Sequence, residues 1–133
     1  VSGFQASRKL WFIIAVVLGS LTAACTSKPI YNVSNAPVPS AASKANLDAV
    51  SKAIQRAGAS LGWHMQETQP GHILGTLNLR THRAVVDINY TPQAYSIQYK
   101  DSIDLGYDGT NIHRNYNGWI QNLDRAIQAQ LIL

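Results

Sequence analysis

Four imidazoles, His64, His72, His82 and His113, are the first side chains to weigh for chemistry, because imidazole binds metals and moves protons near neutral pH. None stands at ligand spacing from another: there is no His-Glu-x-x-His, and no cysteine joins them. His72 and His82 fall beside turns at opposite ends of one expected strand, which holds them apart. Asp101, Asp104 and Asp108, with Asn111, bring oxygens into one loop, but not in the Asp-x-Asp-x-Asp-Gly run with a closing Glu that a calcium loop needs. They read as a solvated acidic loop that caps a helix. No Gly-x-Ser-x-Gly marks a nucleophilic serine. The expectation is a protein with no metal, no cofactor and no enzymatic activity.

Tyr95, Tyr99, Tyr107, Tyr116 and Trp119 cluster late in the chain. They read as an aromatic core where the last strand meets the last helix, with hydroxyls at the rim. A small groove at that rim, with Tyr107, His113, Arg114 and Asn117 as polar contacts, is the candidate ligand site. A polar sheet face carrying Thr76, Asn78, Asp87, Asn89, Ser96, Gln98 and Lys100 is a second surface, suited to a polar partner. Edge strands offer a third route, through strand addition.

The remaining reactive group is the thiol of Cys25, the only cysteine in the chain. Arg8-Lys9, an apolar core over residues 10–20 and the small residues Ala23-Ala24 lead up to it, the layout of a secretory signal peptide. Ending on cysteine, this stretch resembles the lipobox of bacterial lipoproteins, whose thiol is diacylglycerylated before cleavage and whose new amino group is then acylated. Thr22 stands where that pattern prefers Leu, with Leu21 one position back. A membrane-spanning helix fits less well, since residues 10–24 fall short of the ~20 apolar residues a span requires. Two or three acyl chains, at about 0.8 kcal/mol per buried methylene, anchor a protein durably. The resemblance implies removal of residues 1–24 and membrane attachment through Cys25. Thr26, rather than Asp, follows the cysteine and resembles the outer-membrane case, so the expected address is the cell envelope, at the outer membrane facing the periplasm.

The elements that must position these groups follow from patterning. The formal charge of +4 falls to +2 once Arg8 and Lys9 leave with the signal, and the remaining charges are scattered, which argues against nucleic acid as a partner. With Cys25 lipidated no thiol is left for a disulfide, so the domain must hold itself by an apolar core. Residues 25–43 hold three of the five prolines and no period, and read as a flexible tether, the alternative being that Ile30, Tyr31 and Val33 dock on the domain; a coil of about 20 residues spans roughly 25 Å. Residues 44–133 read as a single domain. Leu47, Val50, Ile54, Ala57 and Leu61 make one helical stripe, capped by Ser43 or Asn46 and ended by Gly62. Alternating segments at 63–68, 72–79, 83–90 and 95–101, joined by short turns, predict an antiparallel meander. Ile112, Tyr116, Trp119, Ile120, Leu123, Ile127 and Leu131 make a second stripe, with Thr110 or Asn111 as cap and with Gly118 marking close packing. The predicted fold is α+β, a two-layer sandwich: a four-stranded antiparallel meander with an N-terminal and a C-terminal helix on one face, in the order α-β-β-β-β-α.

Gly62-Trp63, Gly71-His72-Ile73, Leu79-Arg80-Thr81-His82, Tyr95-Ser96-Ile97-Gln98-Tyr99-Lys100-Asp101-Ser102 and Ile112-His113-Arg114-Asn115-Tyr116-Asn117-Gly118-Trp119-Ile120-Gln121-Asn122-Leu123 together resemble a family of small lipoproteins of Gram-negative bacteria. The resemblance covers about residues 45–130. It implies an envelope lipoprotein domain and brings no catalytic residue with it. The functional expectation is a lipid-anchored, non-enzymatic binding or assembly module, with an envelope protein or peptidoglycan as partner. The alternative is a small enzyme or ligand carrier using the Tyr107/His113/Arg114 groove.

Overall fold

A computed structural model describes residues 26–39 and 46–133. Cys25, the signal-peptide stretch and the alternative cap Ser43 lie outside the described residues. In chain order the elements are β1 (Ser27–Pro29), β2 (Val33–Pro37), α1 (Leu47–Ser60), β3 (His64–Gln69), β4 (His72–Leu79), β5 (His82–Tyr90), β6 (Ala94–Ile103), β7 (Asn111–His113) and α2 (Arg114–Leu131). The fold is α+β: two helices, a five-stranded antiparallel sheet in the order β2-β6-β5-β4-β3, and a small β1-β7 ladder.

The meander β3-β4-β5-β6 forms where alternation placed it. Ile73, Leu77, Ala84, Val86, Ile88, Tyr90, Tyr95 and Ile97 are buried on the inward face. Gln66, Asn78, Asn89, Gln98 and Lys100 point to the open one and are exposed. Gly71, at φ +92°, lets the Gln69-Pro70-Gly71 turn close between β3 and β4. In α1, the Asn46 side chain accepts from the Ala49 amide at 3.1 Å. Val50, Ala53, Ile54 and Ala57 then reach the core, and Gly62 continues past the helix at φ +85°. Burying a side chain such as Ile54 or Ile120 contributes about 1.5–3 kcal/mol. The two helices pack on each other and share one apolar core with the inward face of the sheet.

Three expectations need correction. The sheet has five strands rather than four, because β2 adds to the outer edge of β6, with Val33 opposite Ile97 and Pro37 opposite Ala94. Residues 27–37 are therefore not tether. Val33 and Val38 are buried, and backbone hydrogen bonds set this segment in place without the repeated apolar positions that pattern reading requires. The start of α2 differs as well. Asn111 belongs to β7, and His113 is the cap, its Nδ1 accepting from the Asn115 amide at 3.1 Å.

Details on α2 also shift. A Cβ at Gly118 would meet nothing within 4 Å, so this glycine does not mark close packing. Leu123 is buried as its stripe position implies, whereas Trp119 is half-buried and packs at the edge of the core. Leu79, at the end of β4, is 45 % exposed.

Candidate functional site

The strongest concentration of chemistry-bearing groups lies where the chain enters the fold. β1 pairs with β7, setting Ser27 opposite His113 and Pro29 opposite Asn111. The Arg114 amide donates to the Thr26 carbonyl at 2.7 Å, and the Ile30 amide to that of Thr110 at 3.0 Å. Beside this ladder is a cleft of about 260 Å³ lined by Thr26, Ser27, His82, Asp104, Leu105, Gly106 and His113. His82 comes from the start of β5, Asp104 from the loop after β6, at φ +57°, and His113 from the end of β7. The two imidazole centroids are 6.1 Å apart, and the Trp119 ring lies 6.2 Å from that of His82.

Hydrogen-bond chemistry assigns the two rings different roles. His82 Nδ1 sits 2.5 Å from the Asp104 carbonyl oxygen, which can only accept, so this nitrogen donates, and in the neutral ring Nε2 carries the lone pair. His113 Nδ1 accepts from the Asn115 amide, so neutral His113 keeps its proton on Nε2. The Asp104 carboxylate accepts from the Thr81 hydroxyl at 2.5 Å and lies 3.5 Å from His82 Nδ1. With both rings neutral, His82 Nε2 is a hydrogen-bond acceptor and His113 Nε2 a donor. Among the described residues no three His, Cys, Asp or Glu side chains come together to hold a metal ion.

The four residues expected to line one groove have separate tasks. His113 alone lines the cleft just described. Asn117 clamps the entering strand: its Nδ2 donates to the Pro29 carbonyl at 2.8 Å and its Oδ1 accepts from the Tyr31 amide at 2.9 Å. Arg114 is exposed at the start of α2. Tyr107 lies with its ring centroid 4.0 Å from that of Tyr99, which in turn meets Tyr116 edge-on at 5.8 Å. Burial raises the Tyr116 phenol pKa above its ordinary value, with Tyr99 and Tyr107 adding to the effect, and its hydroxyl has no hydrogen-bond partner among the described residues.

The open sheet face carries a network that sequence reasoning missed. Thr68 Oγ1 lies 2.5 Å from His72 Nδ1, and His72 Nε2 lies 2.7 Å from Asp87 Oδ1. Asp87 Oδ2 is 3.6 Å from Lys100 Nζ. Hydroxyl, imidazole and carboxylate stand in a line here, but none of the clefts described is lined by them, and the contacts join β3, β4, β5 and β6 across the face. Thr68 and His72 flank the turn after β3, and His72 and Asp87 are diagonal neighbours in the β4-β5 register, so hairpin pairing is the signal that would have found them.

A third feature lies at the other edge of the sheet. Among the described residues β3 pairs only with β4 and ends the strand order. A cleft of about 400 Å³ opens between α1 and the start of β3, lined by Gln55, Arg56, Ala59, Trp63, His64 and Met65. Gly58 admits the close approach that builds it, since a Cβ there would collide with the Met65 side chain. Beneath, Glu67 Oε1 accepts from the Ser51 hydroxyl at 3.0 Å and the Tyr90 hydroxyl at 2.5 Å, which ties α1 to the sheet.

No family model, curated protein or solved structure matches this chain. Among the described residues no helix is long and apolar enough to cross a membrane.

Proposed function

We propose that the protein is a lipid-anchored lipoprotein of the bacterial envelope, held through Cys25 at the outer membrane and facing the periplasm, and that it works there as a non-enzymatic binding or assembly module. The anchor is supported by the sequence around Cys25. The binding role is carried by one structural observation: among the described residues the outer edge of β3 is unpaired, beside the cleft lined by Gln55, Arg56, Ala59, Trp63, His64 and Met65. An edge strand offers a row of backbone donors and acceptors to an extended segment of a partner, and an adjacent apolar cleft selects one of its side chains. The partner class this favours is another envelope protein rather than peptidoglycan, because strand addition needs a polypeptide.

Lipidated protein in its native membranes, carrying a photo-crosslinking residue at Gln66 on the edge strand β3 or at Gln98 on the interior strand β6, tests this reading. The expected result is a discrete protein adduct from position 66 that Ala59→Glu, which fills the cleft, abolishes. No adduct at 66, or an adduct indifferent to Ala59→Glu, would refute the edge as the working surface. A second reading, a small ligand carrier or enzyme, draws on the His82 and His113 cleft. Its mark would be a small molecule retained by the wild type and lost in His82→Ala with the fold intact.

A further inference from the structure

We propose that the end of the domain around Thr26 is a bilayer-facing surface seated in the phospholipid headgroup layer; the inference rests on the lipid-anchor reading of Cys25. A chain reaches at most about 3.6 Å per residue. Thr26 is already fixed by its bond to the Arg114 amide, and the following residues are held by the β1-β7 ladder, by Asn117 and by β6. One residue therefore separates the acyl chains from the body of the domain, and the surface next to Thr26 has nowhere to sit but against the membrane.

The composition of that end fits a lipid surface. His82 and Asp104 share the cleft with Thr26, and each adjoins an exposed apolar side chain: Leu79 pairs with His82 and is 45 % exposed, and Ile103 precedes Asp104 and is 53 % exposed. Arg80 tips the turn between β4 and β5 at φ +56°, and Arg83 lies opposite Ile103 in the β5-β6 register. Arg114 adds a third exposed cation beside Thr26. Arginine lays its apolar stem along the acyl boundary and keeps its guanidinium at the phosphates, so these side chains match headgroups better than open water. The one acid in the cleft, Asp104, is engaged by the Thr81 hydroxyl and stands close to His82. The turns at the far end of the sheet, Gln69-Pro70-Gly71 and Thr91-Pro92-Gln93, expose no large apolar side chain.

The test uses the lipidated protein in vesicles of phosphatidylethanolamine and phosphatidylglycerol, with a nitroxide on Ile103→Cys or, at the far end, on Thr91→Cys. Lipidated Cys25 does not react, so each variant carries one label. The expected result is a several-fold lower accessibility of the label at 103 to a water-soluble relaxation agent than of the label at 91. Equal accessibility in protein that floats with the vesicles would overturn this inference alone. Protein that fails to float would overturn the anchor reading and this inference with it.

Discussion

The Arg114 amide donates to the carbonyl oxygen of Thr26 at 2.7 Å. The first amides of a helix have no partner inside it, so a strand carbonyl at this point satisfies one of them and fixes the strand in return. The segment from Thr26 to Val38 is thereby built into the fold rather than left as a coil.

The first prediction concerns the clamp on that segment. Asn117→Ala removes both bonds to Pro29 and Tyr31, each contributing about 1 kcal/mol net. Stability should fall by about 2 kcal/mol, and the Tyr31 amide should exchange with solvent much faster than amides of β4 and β5. Unchanged protection at Tyr31 would show that the β1-β7 ladder holds the segment without Asn117.

The helices and the meander were legible because their periods are strong: Val50, Ile54 and Ala57 at helical spacing, and Ile73, Leu77, Val86 and Ile88 at strand spacing, all buried. β1, β2 and β7 were not, since they span only three to five residues and offer one fully buried apolar residue at most. Backbone bonds and the side chains of Asn32, Asn117 and Ser96, reaching partners 61 to 88 positions away, hold β1 and β2 in place. The site was partly legible for the same reason. His113 was recognised as a residue at the start of a helix, but its neighbour His82 comes from the far side of the meander, and only the tertiary fold brings them to 6.1 Å. Asn117 was assigned to a groove that the entering strand occupies.

The second prediction tests the packing of α1 on β3. Replacing a helical glycine by alanine ordinarily stabilises by about 1 kcal/mol. At Gly58 the new Cβ would lie 2.6 Å from Met65 Cγ, and overpacking of this kind costs about 1–3 kcal/mol. Gly58→Ala should therefore destabilise wild type yet stabilise a Met65→Ala background. Urea midpoints of the four proteins give the coupling, and additive effects would mean the helix does not press on Met65.

The third concerns alkaline pH. Tyr95 donates to Asp124 Oδ1 at 2.5 Å, and burial first, then this bond, raises its pKa well above the ordinary 10.0. Tyr90 is raised in the same direction by burial and by its bond to Glu67. The unfolded chain releases these protons near pH 10 while the folded chain keeps them, so the stability they contribute is complete below about pH 10 and declines as pH rises beyond it. Urea midpoints should be flat from about pH 8 and fall above about pH 10. The fall should be shallower in Tyr95→Phe, and an equal slope in both proteins would remove Tyr95 from the account.

The last prediction concerns the Tyr116 hydroxyl, buried and without a partner among the described residues. Tyr116 is 0 % exposed, and its Oη has no hydrogen bond among the described residues. Its ring is well used, edge-on to Tyr99 at 5.8 Å and within the core that α2 shares with the sheet. Leaving a buried polar group unsatisfied costs about 1–3 kcal/mol, and phenylalanine keeps the ring while removing that cost. Tyr116→Phe should therefore raise stability by about 1 kcal/mol, whereas Tyr116→Ala, which opens a cavity, should lower it by about 3–5 kcal/mol. Both shifts can be read from urea denaturation at neutral pH, where the phenol is uncharged in folded and unfolded chains alike. A Tyr116→Phe protein less stable than wild type would mean the hydroxyl is satisfied, by an ordered water or by a group that enters the aromatic cluster. In that case the space around Tyr99, Tyr107 and Tyr116 becomes a binding cavity rather than core.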